Sequence, residues 1–293
     1  MPLCKSNGIE LCYETFGDPA DPPLLLVMGL GAQMTAWDTE LCSAFVDRGF
    51  FVVRYDNRDV GLSSRIEGSG GNFMETFLKA SQGQPVDAPY RLTDMAADGI
   101  GLLDHLGIER AHVVGASMGG MIAQTIAIEH PSRVLTLTSI MSTTGEPEVG
   151  QATPEAMQLL VRPPATDRQS AIEAAVAANK VIGGPDHFDE DRIRARSAAF
   201  YDRAFDPAGT ARQLIGILAS GSRAEQLAAL DVPTLVIHGD ADTLVTPTGG
   251  RRTAELVPGA ELLEIEGMGH DLPPVVWPQV VEAITQHAQR AAA

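Results

Sequence analysis

A serine flanked by glycines stands where an apolar run passes into a helix-forming segment. The run 111–116 ends in Gly115-Ala116-Ser117-Met118-Gly119, and the segment 121–127 follows without a break. This order predicts a strand, a sharp turn and a helix, with the Ser117 hydroxyl pointing away from the sheet. Side chains in place of Gly115 and Gly119 would collide with the neighbouring strand or helix. Because the helix N-terminus favours an anion beside the hydroxyl, we predict a nucleophile, the alternative being a structural turn.

A serine needs a base to accept its proton at neutral pH, and the base needs an acid that orients it. Two later loops supply candidates, each directly after an apolar run: one contains Asp240 and Asp242, the other His270. His270 lies between glycines and a proline pair, where its ring can project from the loop. We predict His270 as the base and Asp242 as the acid. Asp240 directly follows Gly239, a turn position that favours bonds to nearby backbone.

The remaining titratable groups near these motifs are predicted to be structural. The other histidines fall within strands, late in helices or at the surface: His112, His238, His105, His130, His187 and His287. His187 and His287 are expected at the surface, and Asp271, beside the predicted base, is expected to be solvated. No histidine has the spacing of a metal ligand set, so we predict no metal.

Strands and helices must bring these distant residues together. Continuous apolar runs at 24–28, 51–55 and 134–140 predict strands buried on both faces. The alternating segment 9–16 predicts an exposed antiparallel edge strand. Because helical segments with short connections separate the strands, we expect an α/β fold: a mostly parallel sheet with helices on both faces. The loops that carry Ser117 and its partners follow predicted strands, at the sheet edge where ligands collect.

A stretch of helices without a strand interrupts this alternation. Its segments carry apolar residues at helical spacing, which predicts helices at 154–161, 168–180, 190–205 and 207–219. We predict a helical subdomain at 144–223, inserted in a core formed by 1–143 and 224–293. Apolar side chains of the insert could line a substrate pocket or pack the insert onto the core: Met157, Leu160, Phe200, Phe205, Leu214 and Leu218.

Composition limits the classes of partner. The 293 residues carry a formal charge of −17 with no basic stripe, which argues against nucleic acid. No window approaches the roughly 18 apolar residues of a membrane span. The three cysteines predict reduced core residues, not a disulfide framework. The first residues lack the apolar region of a signal peptide, so we expect a cytoplasmic protein.

Three motifs together resemble the α/β-hydrolase superfamily: the Ser117 turn, Gly239-Asp240-Ala241-Asp242, and Gly267-Met268-Gly269-His270. The resemblance covers nearly the whole chain, with the helical insert in the place of that family's cap domain. It implies the α/β-hydrolase fold with an eight-stranded sheet. It also implies an oxyanion hole formed by the backbone N–H groups of Leu30 and Met118.

The segments 16–22, 54–61 and 267–273 look more narrowly like the esterases related to aclacinomycin methylesterase. This resemblance implies a serine carboxylic-ester hydrolase that works through an acyl-enzyme, without a cofactor. The expected partner is a small to medium apolar ester, a methyl ester of a polyketide-like compound being one candidate. We expect a monomer or a homodimer. A serine at position 117, where dehalogenases and epoxide hydrolases carry a carboxylate, argues against those two reactions.

Other reactions and one other class of protein remain open. The same three side chains serve thioester or lactone hydrolysis, cofactor-free perhydrolysis and carbon–carbon bond cleavage. A non-catalytic ligand-binding module on a hydrolase fold is the alternative from another class. Reaction of Ser117 with a fluorophosphonate separates that module from an enzyme.

Overall fold

The residues described in the structure, a computed structural model, are 1–67, 73–82 and 84–292. Eight strands among them form one sheet: β1 (Leu3–Ser6), β2 (Ile9–Phe16), β3 (Pro23–Val27), β4 (Phe51–Tyr55), β5 (Ala111–Ala116), β6 (Val134–Ile140), β7 (Thr234–Gly239) and β8 (Glu261–Ile265). Their order is β1-β2-β4-β3-β5-β6-β7-β8. Strand β2 is antiparallel to β1 and β4, and all pairs from β4 to β8 are parallel. The predicted mostly parallel eight-stranded sheet is confirmed.

The prediction that 9–16 forms the edge of the sheet is wrong. Strand β1 pairs with β2 on its outer side, so that Cys4 lies opposite Leu11. Only Cys4 and Ser6 of this four-residue strand are buried, while Leu3 and Lys5 are exposed. A run this short and mixed gives no clear pattern in the sequence, which is why it was not recognised as a strand.

Helices cover both faces of the sheet. They are α1 (Thr39–Val46), α2 (Phe73–Ser81), α3 (Leu92–His105), α4 (Met118–Glu129), α5 (Pro154–Val161), α6 (Arg168–Ile182), α7 (Glu190–Arg203), α8 (Pro207–Ser220), α9 (Ala224–Ala228), α10 (Thr248–Leu256) and α11 (Trp277–Ala292). Successive residues of β3 enter different cores: Leu25 packs with residues of α3 and α4, and Leu24 with residues of α1 and α11. The sheet therefore separates two apolar layers, each closed by helices.

Four helices, α5 to α8, lie inside the predicted insert 144–223, and the short α9 follows them before β7. Each of the four begins at a residue whose side chain accepts a hydrogen bond from the first turn: Thr153, Asp167, Asp189 and Asp206. Such caps satisfy backbone N–H groups that have no partner inside the helix. Local sequence therefore sets where these helices start, and all four predicted start positions agree with the structure.

The segment 65–90 is rich in glycine, serine, glutamine and proline, which predicts a long loop with a short helix near 74–79. Helix α2 confirms the short helix. Part of the predicted loop, residues 68–72 and 83, lies outside the described residues. None of the helices in the described part of the chain combines the length and apolarity that a bilayer crossing requires.

Candidate active site

Ser117 lies at the turn between β5 and α4, with a strained backbone (φ 57°, ψ −122°). The turn is held on both sides: the Ser117 N–H donates to the Ile140 carbonyl at 2.9 Å, and the Gly120 N–H donates to the Ser117 carbonyl at 2.8 Å. A Cβ at Gly115 would overlap the Gly119 carbonyl, and one at Gly119 would overlap the Val27 carbonyl. The predicted collisions with helix and strand are thus present, and they explain why both positions are glycine.

His270, in the loop after β8, reaches this serine. Its Nε2 lies 2.9 Å from the Ser117 Oγ, and its Nδ1 lies 2.7 Å from the Asp242 Oδ2. A carboxylate can only accept, so Nδ1 carries the proton and Nε2 is free to accept the serine hydroxyl. The backbone N–H of His270 donates to the Ile182 carbonyl at 2.6 Å, which fixes the loop against the end of α6. The three predicted side chains thus form one connected hydrogen-bonded series.

Asp242 is almost fully buried, at 3% exposure, yet all of its oxygens have donors. Oδ1 accepts from the N–H groups of Leu244 and Val245, both at 2.9 Å, and Oδ2 from His270. Burial raises the pKa of Asp242, but the charge of His270 and the hydrogen bonds from His238 and His270 outweigh it and hold the pKa at about 2. The carboxylate is therefore ionised at neutral pH and stabilises a positive charge on the imidazole.

The other carboxylates and the histidine considered above have structural contacts away from the Ser117–His270–Asp242 series. Asp240 is exposed, and its Oδ1 accepts from the Gly267 N–H at 2.7 Å, the backbone role expected of it. Asp271 is not solvated as predicted: it is partly buried and accepts from the Gly184 N–H at 3.2 Å, because α6 ends against this loop. His287, expected at the surface, is buried on α11, where it contacts the Pro233 carbonyl at 3.2 Å.

The backbone of Leu30 and that of Met118 both lie close to Ser117. An added Cβ on Gly29, the residue before Leu30, would lie 3.1 Å from the Ser117 Cβ, so this loop runs directly past the serine. Met118 is the first residue of α4. Among the described residues, neither N–H has a hydrogen-bond acceptor. Free backbone donors close to a nucleophilic hydroxyl are what the binding of an oxyanion requires, so both groups stay candidates for that role.

His238, which the sequence predicts to be an ordinary strand residue, also contributes to the site. Its Nε2 lies 2.7 Å from the Val245 carbonyl and 3.4 Å from the Asp242 Oδ2. It is fully buried, and a Cβ at Gly250 would overlap its ring, so that position admits only glycine beside it. The imidazole supports the loop that supplies the acid. The available signal was its place four residues before Asp242, at the end of a buried strand.

A cavity of about 660 Å³ opens between the helices of the insert and the loop after β3. Leu30 lines it, whereas Ser117 and His270 do not. Four of the six apolar side chains considered for a pocket line it, namely Leu160, Phe200, Phe205 and Leu214. Met157 and Leu218 do not.

No group of three His, Cys, Asp or Glu side chains within 1–67, 73–82 and 84–292 is arranged to hold a metal ion. The three cysteines, Cys4, Cys12 and Cys42, are free and buried, as predicted. Their thiol pKa values are raised, chiefly by burial. They are therefore inert at neutral pH.

Comparison with known proteins identifies the class that this fold and site define. The model of the α/β-hydrolase fold family matches residues 22–274, and the chain belongs to that family. The chain is 32% identical to rhodomycin D methylesterase DnrP of Streptomyces peucetius, over 99% of this chain and 98% of that protein. It is 28% identical to 3-oxoadipate enol-lactonase 2 of Acinetobacter baylyi, over 95% and 94%. These relatives confirm the prediction of an esterase-type hydrolase related to the methylesterases.

A solved structure confirms the fold independently. The enol-lactonase from Burkholderia xenovorans LB400 superposes with a TM-score of 0.73, covering 99% of both chains at 24% identity. At this level of identity the likeness concerns the fold alone.

Proposed function

We propose that this chain hydrolyses carboxylic esters through an acyl-enzyme, with Ser117 as nucleophile, His270 as base and Asp242 as the orienting acid. The observation that carries the proposal is the position of the His270 ring. Its two nitrogens lie 2.9 Å from the Ser117 Oγ and 2.7 Å from the Asp242 Oδ2. Removal of either contact would leave the hydroxyl without a base or the base without its orientation.

In the first half-reaction, Ser117 gives its proton to Nε2 of His270 while Oγ attacks the ester carbonyl carbon. The carbonyl oxygen becomes an anion, which accepts from the N–H groups of Leu30 and Met118. Collapse of this intermediate breaks the bond to the alkoxy oxygen. The alkoxy group takes the proton from Nε2 and leaves as the alcohol.

In the second half-reaction, water replaces the alcohol beside His270. Nε2 takes one proton from the water, and the resulting oxygen attacks the acyl carbon on Ser117. The same two N–H groups hold the oxyanion again. Collapse breaks the bond to Oγ, which recovers the proton from Nε2, and the carboxylic acid leaves.

The substrate we propose is the methyl ester of an apolar polycyclic compound of the polyketide type. Two observations support it: the similarity to rhodomycin D methylesterase and the cavity of about 660 Å³ beside Leu30. A volume of this size fits a drug-sized ligand, and Phe200, Tyr201 and Phe205 give its wall aromatic surface.

Hydrolysis of a lactone is a second candidate, supported by the similarity to 3-oxoadipate enol-lactonase 2. The chemistry at the serine is the same, but the leaving hydroxyl stays attached to the acyl group. We further propose that residues 144–223 form a cap, with the core at 1–143 and 224–293, and that this cap selects the substrate. Action as a monomer or homodimer in the cytoplasm stays a prediction.

A panel of substrates tests the proposal. We expect polycyclic methyl esters to be hydrolysed to methanol and acid with the highest kcat/KM of the panel. The kcat/KM values for simple lactones, for thioesters of the same acyl group and for peracid formation are expected to be lower. Ser117→Ala is expected to lose turnover by at least about 10⁴-fold. Ser43→Ala, an exposed serine on α1, is the control and keeps full activity. Turnover of lactones above all esters would favour the second candidate, and no turnover of any acyl compound contradicts both.

A further inference from the structure

The loop that carries Leu30 is a tight turn. The Ala32 N–H donates to the Gly29 carbonyl at 3.3 Å, and Gly31, in the third position of the turn, has a φ of +65°. This left-handed conformation favours glycine, and it sets the angle between the Leu30–Gly31 and Gly31–Ala32 peptide groups. The Leu30 N–H belongs to the preceding Gly29–Leu30 peptide, which joins the Leu30–Gly31 peptide at the Leu30 Cα. Holding the Gly31 N–H therefore limits how the peptide that carries the Leu30 N–H can turn.

Gln213 of the helical insert holds that peptide. Its Oε1 accepts from the Gly31 N–H at 2.8 Å, and its Nε2 donates to the Arg58 carbonyl at 2.8 Å. On the other side of the turn, the Asn57 Nδ2 donates to the Met28 carbonyl at 2.8 Å. Gln213 is fully buried, so its two hydrogen bonds form without competition from water. Hydrogen bonds from side chains therefore hold the backbone on both sides of Leu30, at the Met28 carbonyl and at the Gly31 N–H.

Helix α8, which carries Gln213, is fixed to the core by close backbone approach and by charge. A Cβ at Gly209 would overlap the Asp59 carbonyl, so the start of α8 touches the loop after β4 directly. Arg212 donates from Nε and Nη2 to the Asp59 carboxylate at 3.0 and 2.8 Å, and this pair is buried. A helix held in this way keeps the Gln213 side chain in one position.

We infer that Gln213 is a positioning residue for the reaction. It aims the Leu30 N–H at the carbonyl oxygen through the Gly31 peptide, so a side chain of the insert completes the oxyanion hole of the core. The inference rests on the proposed ester hydrolysis and adds a role for the insert beyond substrate selection. Its consequence is a defect in transition-state stabilisation, not in substrate binding, when the amide is removed.

Gln213→Met is the direct test, because methionine has a similar volume but no donor and only a weakly accepting sulfur. We expect kcat to fall about 10- to 100-fold, less than the loss of an oxyanion donor, while KM changes by less than about threefold. A trifluoromethyl ketone forms a tetrahedral oxyanion with the serine. Its affinity is expected to fall by the same factor as kcat.

Tyr90→Phe is the matched control. The Tyr90 hydroxyl donates to the Asp59 Oδ2 at 2.6 Å, and its ring packs against Gly216 of α8. This variant weakens the same helix–core interface without touching the Leu30 turn. We expect a lower melting temperature with kcat within about twofold of the wild type.

Three results overturn the inference: an unchanged kcat in Gln213→Met, an equal loss in Tyr90→Phe, or a fall in kcat with unchanged affinity for the ketone. Each of these results is interpreted only if the wild-type protein hydrolyses the ester. A wild-type protein without ester hydrolysis would instead contradict the proposed function. Amide hydrogen exchange of the wild type gives a second test that needs no variant. The Gly31 N–H must be strongly protected, and exchange at the rate of an unbonded loop amide overturns the inference as well.

Discussion

The Nε2 of His270 lies 2.9 Å from the Oγ of Ser117, although 153 positions separate the two residues along the chain. Ser117 follows β5 and His270 follows β8, and two strands, β6 and β7, lie between them in the sheet. The contact therefore depends on the register of four parallel strands and on a loop after β8 that turns back across them. The His270 N–H bond to Ile182 holds this loop in place.

The two candidate acids can be told apart by matched substitutions. In Asp242→Asn we expect kcat to fall about 10³- to 10⁴-fold, because an amide cannot hold the His270 tautomer that accepts the serine proton. Asp240→Asn is expected to stay within about threefold of the wild type, since an amide oxygen can still accept from the Gly267 N–H. Steady-state kinetics on one ester measures both. Loss of activity in Asp240→Asn alone would reverse the assignment.

Acid stability should also depend on Asp242. Its pKa is about 2 in the folded protein, below the ordinary 3.8, so the unfolded chain binds more protons between these values. The ionised carboxylate therefore stabilises the fold above pH 4, and this contribution is lost as the pH falls toward 2. Between pH 5 and 2 we expect the wild type to lose about 2 kcal/mol more unfolding free energy than Asp242→Asn. Urea unfolding at several pH values measures it, and parallel pH dependences would contradict the low pKa.

Gly119→Ala tests the close approach of α4 to β3. The new methyl group would overlap the Val27 carbonyl, so we expect a loss of about 3 kcal/mol or more in unfolding free energy. Gly259→Ala is the comparison: it has φ +71° but no atom within 4 Å of an added Cβ, and we expect a cost of about 1 kcal/mol. Chemical denaturation of both proteins gives the two values. Equal losses would mean that small shifts of α4 and β3 relieve the overlap with the Val27 carbonyl, which would contradict a tight contact at Gly119.

Filling the cavity should separate large from small substrates. Ala175 of α6 lines the cavity, and Ala177, two residues on, is exposed and does not. For Ala175→Trp we expect kcat/KM on a polycyclic methyl ester to fall at least about tenfold, with little change on a short acetate ester. Ala177→Trp should leave both values unchanged. An equal effect of Ala175→Trp on both esters would place the large substrate elsewhere.

Local patterns explain why the sequence could predict Ser117, Asp242 and His270 as partners. Ser117 and Asp242 follow strands that are buried throughout, and His270 follows β8, an apolar run of which only Ile265 is buried. All three lie at the same edge of the sheet, in loops whose glycine or proline residues leave little choice of conformation. The helices of the insert could also be predicted, because side chains such as Asp167 and Asp206 cap them.

The features that the sequence could not predict depend on contacts between distant segments. Gln213 reads as an ordinary helix residue until α8 is seen against the Leu30 turn. His287 looks like a surface residue in the sequence, but α11 packs against β6 and β7, which buries it. The strand at 3–6 is too short to give a periodic signal, and only its pairing with β2 reveals it.

Labelling with a fluorophosphonate tests the central claim, that His270 makes the Ser117 hydroxyl reactive, most directly. In intact-protein and peptide mass spectrometry we expect one adduct per wild-type chain, located on Ser117. Ser117→Ala should give no adduct, and His270→Gln should react at least about 10³-fold more slowly, with both variants folded by circular dichroism. The account would be contradicted if the folded wild-type protein gained no adduct. It would also be contradicted if His270→Gln and the wild type were labelled at the same rate.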